Sequence, residues 1–130
     1  MYTQTFVQIS NNVRVEVRPA YLEEESEPHF SKHVFGYFIE IHNQGSEPLR
    51  LVKRHWEIED TSEGQFEVDG DGVVGQRPRI MPGDAHRYSS YCVLKSFTGS
   101  MRGHYLMERD DGDSLRVAIP EFLLHSHLLN

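Results

Sequence analysis

Apolar residues in this chain recur at every second position, the period of a strand with one face buried. Val13, Val15 and Val17 alternate with Arg14, Glu16 and Arg18. Phe35, Tyr37, Ile39 and Ile41 repeat the pattern, and Val34 and Phe38 on the opposite face mark this run as a central strand. Leu49 and Leu51 open a third run that continues through Val52, Trp56 and Ile58. Its apolar phase changes near Val52, as a β-bulge would make it. Phe66 and Val68 mark a short strand. Further strands follow at Tyr88, Ser90, Cys92 and Leu94, at Met101, Gly103, Tyr105 and Met107, and at Leu115, Val117 and Ile119.

Turn residues fall between these runs: Asn43, Gln44 and Gly45, then Pro82 and Gly83, then Asp111 and Gly112. No window carries an apolar repeat of 3.6 bounded by helix caps. A lone sheet would leave an apolar face wet, so two sheets must pack together. The pattern therefore predicts an all-β fold, an antiparallel β-sandwich of seven or eight strands. Trp56, Ile39, Tyr37, Val117 and Tyr105 are expected in its core. At 130 residues the chain suits one domain, residues 1–130, with its core between about 13 and 122. The acidic segment Glu23, Glu24, Glu25, Ser26, Glu27 and Pro28 reads as a connection between strands, and the tail after Phe122 as loosely held.

Charge and composition exclude several classes. A net charge of −7 argues against nucleic acid as a partner, because phosphates demand surplus Lys and Arg. No run approaches the ~18 apolar residues of a membrane helix, so no membrane insertion is expected. The start, MYTQTFVQIS, lacks the basic and apolar regions of a secretory signal. Cys92 is the only cysteine, which excludes an intramolecular disulfide and suits a reducing compartment. A cytoplasmic location is the expectation. Within residues 76–107, Arg77, Arg79, Arg87, Lys95 and Arg102 face only Asp84, giving +4 locally and −11 elsewhere. That run is either chance clustering on a solvated surface or an anion-attracting patch.

The most conspicuous motif is Gly70, Asp71, Gly72, Val73, Val74 and Gly75, a literal GxGxxG. In a dinucleotide fold such glycines turn a strand into a helix whose N-terminus holds pyrophosphate. Here Pro78 and Pro82 follow and bar an ordinary helix. No acid lies ~20 residues on to hold a ribose, and the neighbouring strands read as antiparallel. Two readings remain: glycines serving a bent loop, or a loop offering backbone N–H groups to an anion beside Arg77 and Arg79. If the segment is extended, those two arginines point the same way.

Other candidates are weaker. Glu67, Asp69, Asp71 and Gly72 resemble the start of a calcium loop, but Pro78 stands where its last carboxylate belongs. His125 with His127, and His29 with His33, lack the further ligands of a zinc site and read as exposed polar histidines. Cys92 alternates with Ser90 and Leu94 on an apolar face, so it reads as core and not as a nucleophile. Ser89 and Ser90 lack a nucleophile elbow. No catalytic residue, metal ligand or cofactor is predicted.

The segments HVFGYFIEIHNQG, RHWEIED, VDGDGVVGQRPRIMPGD, GSMRGHYLM and VAIPEF, in that order, resemble the ApaG family from about Val13 to Phe122. Tyr91 departs from the pattern, since members usually carry glycine there. The resemblance implies an immunoglobulin- or fibronectin-III-like sandwich. It also implies association with cobalt resistance and magnesium efflux, and kinship with domains in an F-box protein and a polymerase-interacting protein that act as protein-binding modules. Gly70, Gly72 and Gly75 match the glycines for which pyrophosphate binding has been suggested. The family's bacterial gene neighbourhood includes a dinucleoside tetraphosphate hydrolase. The resulting expectation is a non-enzymatic binding module for a protein partner. The alternative is phosphate, pyrophosphate or nucleotide binding by Gly70, Gly72, Gly75, Arg77 and Arg79.

Overall fold

The computed structural model describes residues 4–127. Its strands are β1 (Phe6–Ser10), β2 (Val13–Tyr21), β3 (His33–Asn43), β4 (Leu49–Asp60) and β5 (Gly64–Asp71). After them come β6 (Arg79–Ile80), β7 (Ala85–Leu94), β8 (Thr98–Arg109) and β9 (Ser114–His125), and one 3-10 turn, Pro28–Phe30, interrupts the acidic loop. Two antiparallel sheets result. The first runs β1-β2-β3-β7; the second runs β5-β4-β8-β9, with β6 added beside β4. The predicted sandwich is what forms. No helix of the described residues is long and apolar enough to cross a membrane.

Alternation places the core as the sequence suggests. Val13, Val15 and Val17 pair with Asn43, Ile41 and Ile39, and all six are buried. Trp56, Tyr37 and Phe122 meet as tilted or edge-on rings across the sheets. The phase change at Val52 is a bulge: the register of β4 on β8 slips between Leu51 and Lys53. Without it, Leu51 and Trp56 would face opposite sides.

Two buried polar groups tie the ends together. Asn43 donates to the carbonyls of Glu47 and Ile80, and its Oδ1 accepts the Gly45 amide. Asp60, at the end of β4, accepts from the Lys95 amide at 2.7 Å and the Ser96 hydroxyl at 2.8 Å. Ser62 supplies two more donors to it. Burial alone would push the Asp60 carboxyl up, but these donors more than reverse the effect and hold it below its ordinary value.

Several expectations need correction. β1 and β6 lie outside the runs read from the sequence. In β1 the apolar Val7 and Ile9 point to solvent, and β6 is too short to show a period. The tail is not loose between Phe122 and Ser126, because β9 continues to His125 and Leu124 and Ser126 are buried; the rest of that expectation, residues 128–130, lies outside the described residues. His33 is buried, not exposed: Nδ1 lies 3.0 Å from the Tyr21 hydroxyl, and the ring packs on Phe97. The basic run of residues 76–107 does not gather into a patch. Strand alternation disperses it, and Arg77, Arg79, Arg87, Lys95 and Arg102 each meet a different carboxylate, at Asp71, Asp110, Glu40, Glu63 and Glu57.

Candidate functional site

β1 and β2 pack against β9, which closes the sandwich along one side. The opposite side, between β7 and the β4–β5 hairpin, stays open because β7 ends the first sheet while β5 extends the second. The glycine motif lies at this mouth. Val73 and Gln76 bond to each other through both amides, at 2.8 and 3.0 Å, across Val74 and Gly75. Val74 (φ 48°) and Gly75 (φ 74°) both occupy the left-handed region, the geometry of a type I′ hairpin turn. For a β-branched residue such as Val74 that conformation is strained.

Each glycine then has a structural reason. Gly72 (φ 56°) allows the hairpin to close, since a β-carbon there would meet the Gln76 carbonyl oxygen at 2.0 Å. Gly75 supplies the second left-handed position. Gly70 leaves room for the guanidinium of Arg54, whose Nη1 donates to the carbonyls of Asp71 and Gly72 at 2.9 Å each. Three amides are already taken, that of Gly72 by the Val52 carbonyl and those of Val73 and Gln76 by each other's carbonyls. The hairpin is folded on itself and does not form an open cradle of N–H groups.

Arg54 was not anticipated. It shares the inward phase of Trp56 and Ile58, where an apolar residue is expected, and that violation is its sequence signal. It lines a cleft of about 250 Å³ with Tyr37, Trp56, Val73, Val74 and Tyr88 to Tyr91. The Tyr88 hydroxyl bonds that of Tyr105. Burial pushes both phenols, and Tyr37, upward, and the nearby Arg54 charge only partly opposes this. Burial also pushes the Cys92 thiol up to about 12. These groups are neutral near pH 7.

The two predicted site arginines separate. Arg77 faces Asp71 at 3.5 Å, and its carbonyl accepts from Arg50. Arg79 forms a two-point pair with Asp110 of the β8–β9 turn. Each therefore has its own acidic partner, one at the end of β5 and the other in the β8–β9 turn. Among the described residues no cluster of three or more His, Cys, Asp or Glu side chains is arranged to hold a metal ion.

Apolar side chains stand in solvent at the mouth and on the outer face of the first sheet beside it. Tyr91 is 66% exposed, Val74 62%, Phe38 56% and Val93 46%, and Phe66 and Val68 add to them from β5. On the outer face of the first sheet Tyr91 pairs with Gly36, whose bare backbone leaves room over Leu22.

The ApaG domain profile matches residues 23–109. The chain belongs to the ApaG family. It is 45% identical over 118 residues to Protein ApaG of Sinorhizobium fredii, covering 91% of each. To Protein ApaG of Anaeromyxobacter dehalogenans it is 45% identical over 116 residues, or 89% of this chain and 91% of that one. The crystal structure of a Bordetella pertussis protein given the name ApaA superposes with a TM-score of 0.85 at 42% identity, covering 88% of this chain and 94% of that one. In this ApaG-family chain the GxGxxG string therefore opens a β-hairpin, not a helix.

Proposed function

We propose that this domain is a non-enzymatic, cytoplasmic binding module that receives an extended polypeptide of a partner protein along β7. The observation that carries this reading is the exposed edge of β7 with Tyr91, Val93, Val74 and Phe38 in solvent around it. A sheet edge offers unpaired N–H and C=O groups, and a partner strand that completes them gains affinity from the backbone and specificity from adjacent side chains. Tyr91 and Phe38 supply large rigid contact area. A β-sandwich displays such a surface on a rigid scaffold. The non-enzymatic reading is supported by the raised phenols of Tyr37 and Tyr88 in the cleft and the raised Cys92 thiol of β7, all protonated near neutrality and therefore weak as nucleophiles or bases. Any link to cobalt or magnesium handling would then run through the partner.

The test is affinity capture from cell extract with the native chain and with Tyr91→Ser/Val93→Ser, followed by hydrogen exchange on the captured complex. The reading requires that capture fail in the variant and that binding slow exchange of β7 amides. A partner that leaves β7 unprotected defeats it. The phosphate alternative at Gly70, Gly72, Gly75, Arg77 and Arg79 has less support, given the amides and carboxylates already engaged.

A further inference from the structure

The chain carries thirteen Lys and Arg residues against twenty Asp and Glu. On such an acidic surface a cation finds a carboxylate easily, and nine do: Arg14, Arg18, Lys32, Arg77, Arg79, Arg87, Lys95, Arg102 and Arg109. Among the described residues the exceptions are Arg50, Lys53, Arg54 and Arg116. Three of these four line one cleft.

That cleft, about 410 Å³, opens on the outer face of the second sheet, away from β7. Its geometry follows from strand register. Lys53 of β4 pairs with Leu106 of β8, and Leu106 pairs with Arg116 of β9. The two cations therefore stand one strand to either side of Leu106, their backbones about 10 Å apart at twice the strand spacing. Their flexible side chains can close on one ligand over that apolar floor. The next rung holds His55 opposite His104, with ring centroids 5.0 Å apart. Beyond Lys53 lies Arg54, held against the carbonyls of Asp71 and Gly72.

Two carboxylates also border the cleft, and both are occupied. Asp69 lies 2.7 Å from His55 Nδ1, and Asp71 faces Arg77. Glu57 and Glu67 lie near the His55 Nε2 side. What remains unmatched is the positive charge of Lys53 and Arg116. Beside them His104 stays neutral: burial and then the Arg116 charge lower its pKa, leaving an imidazole able to donate one hydrogen bond.

We propose that the cleft between Lys53 and Arg116 binds the phosphate group of a small molecule, with Leu106 as floor and His104 as a further hydrogen-bond donor. A dianion matches two unpaired cations better than a carboxylate does, and oxygens on several sides suit donors that approach from both flanks. The site is open, so binding is weak and falls with salt. It is independent of the β7 surface.

Inorganic phosphate and, separately, a nucleoside monophosphate are titrated at constant ionic strength while backbone amides are followed by NMR. The expected result is saturable shifts at Lys53, His104, Leu106 and Arg116, at least tenfold weaker in Lys53→Met/Arg116→Met and unchanged in Arg77→Ala/Arg79→Ala. Both substituted side chains are exposed, and an otherwise native spectrum shows that the variant folds. Saturation by inorganic phosphate identifies the free anion as sufficient; saturation by the monophosphate alone identifies an ester. Shifts that stay linear, that are confined to residues 72–77, or that survive the double substitution overturn the proposal.

Discussion

The guanidinium of Arg54 fills the space that a β-carbon on Gly70 would need, with Cζ 2.5 Å from that position. A strand residue and a motif glycine are thus one device. The arginine crosses from β4 to the base of the hairpin and fastens it through two carbonyls, so the first glycine of the motif serves packing.

The three glycines should differ in what they tolerate. Gly72→Ala meets a backbone carbonyl as well as an unfavourable φ and should cost more than about 2 kcal/mol. Gly75→Ala meets nothing and should cost about 1 kcal/mol for its left-handed backbone. Gly70→Ala displaces a side chain that can move, at the expense of its hydrogen bonds, and should fall between them. Urea denaturation of the three variants gives the order directly. Equal costs would contradict it.

Val74 should show a conflict between stability and recognition. Val74→Asn relieves a β-branched residue held at φ 48° and should stabilise the fold by about 1 kcal/mol. The same change removes an exposed apolar contact at the mouth and should weaken partner capture. Thermal melts and capture assays on one protein preparation measure both.

Asp60 should make the fold acid-sensitive. Its folded pKa lies below its ordinary value, so its contribution is present above the unfolded pKa of about 4 and is lost as pH falls through the lower folded pKa. Asp60→Ala leaves the Lys95 amide short of an acceptor, while the Ser96 hydroxyl keeps the Thr98 carbonyl, and should cost about 1–3 kcal/mol near neutrality. Urea midpoints between roughly pH 2 and 6 should converge for wild type and variant at the acid end.

His55 and His104 should titrate apart although their rings are neighbours. The hydrogen bond to Asp69 raises His55, against a smaller lowering by burial, while burial and Arg116 lower His104. Stability from His55 is therefore present below its unfolded pKa of about 6.5 and is lost as pH rises through the higher folded value. Following the imidazole carbon protons by NMR should show the split, and Asp69→Asn should narrow it.

Burial of the main core residue is checked by Trp56→Ala, which should cost about 3–5 kcal/mol because the ring packs against Tyr37 and Phe122. A near-neutral result in chemical denaturation would contradict the packing described.

The sequence exposed the sandwich clearly because most strands have one wet and one dry face, which writes the period of two into Val13 to Val17 and Phe35 to Ile41. It even exposed the bulge at Val52, since a one-residue insertion shifts that period. β1 escaped because its Val7 and Ile9 face solvent, although Asn11 and Asn12, both at positive φ, mark its hairpin turn. The site was harder to read. Cations close in sequence, such as Arg77 and Arg79, are drawn to carboxylates in different parts of the fold. Lys53 and Arg116, far apart in sequence, come together only through the pairing of three strands. Arg54 alone left a trace, as a charge in an apolar phase.

The unpaired edge of β7 also bears on how much of this protein a cell can hold. Residues 88–94, YSSYCVL, contain no charge, proline or glycine, whereas the neighbouring edge strand β5 carries Glu67, Asp69 and Asp71. A neutral segment of that length and β-propensity is a template for adding further copies of itself. On the proposed reading a partner strand would cap this edge, and without one surplus chains would satisfy the same hydrogen bonds with one another: overproduction of the domain alone should yield growing oligomers in light scattering that Tyr91→Lys prevents.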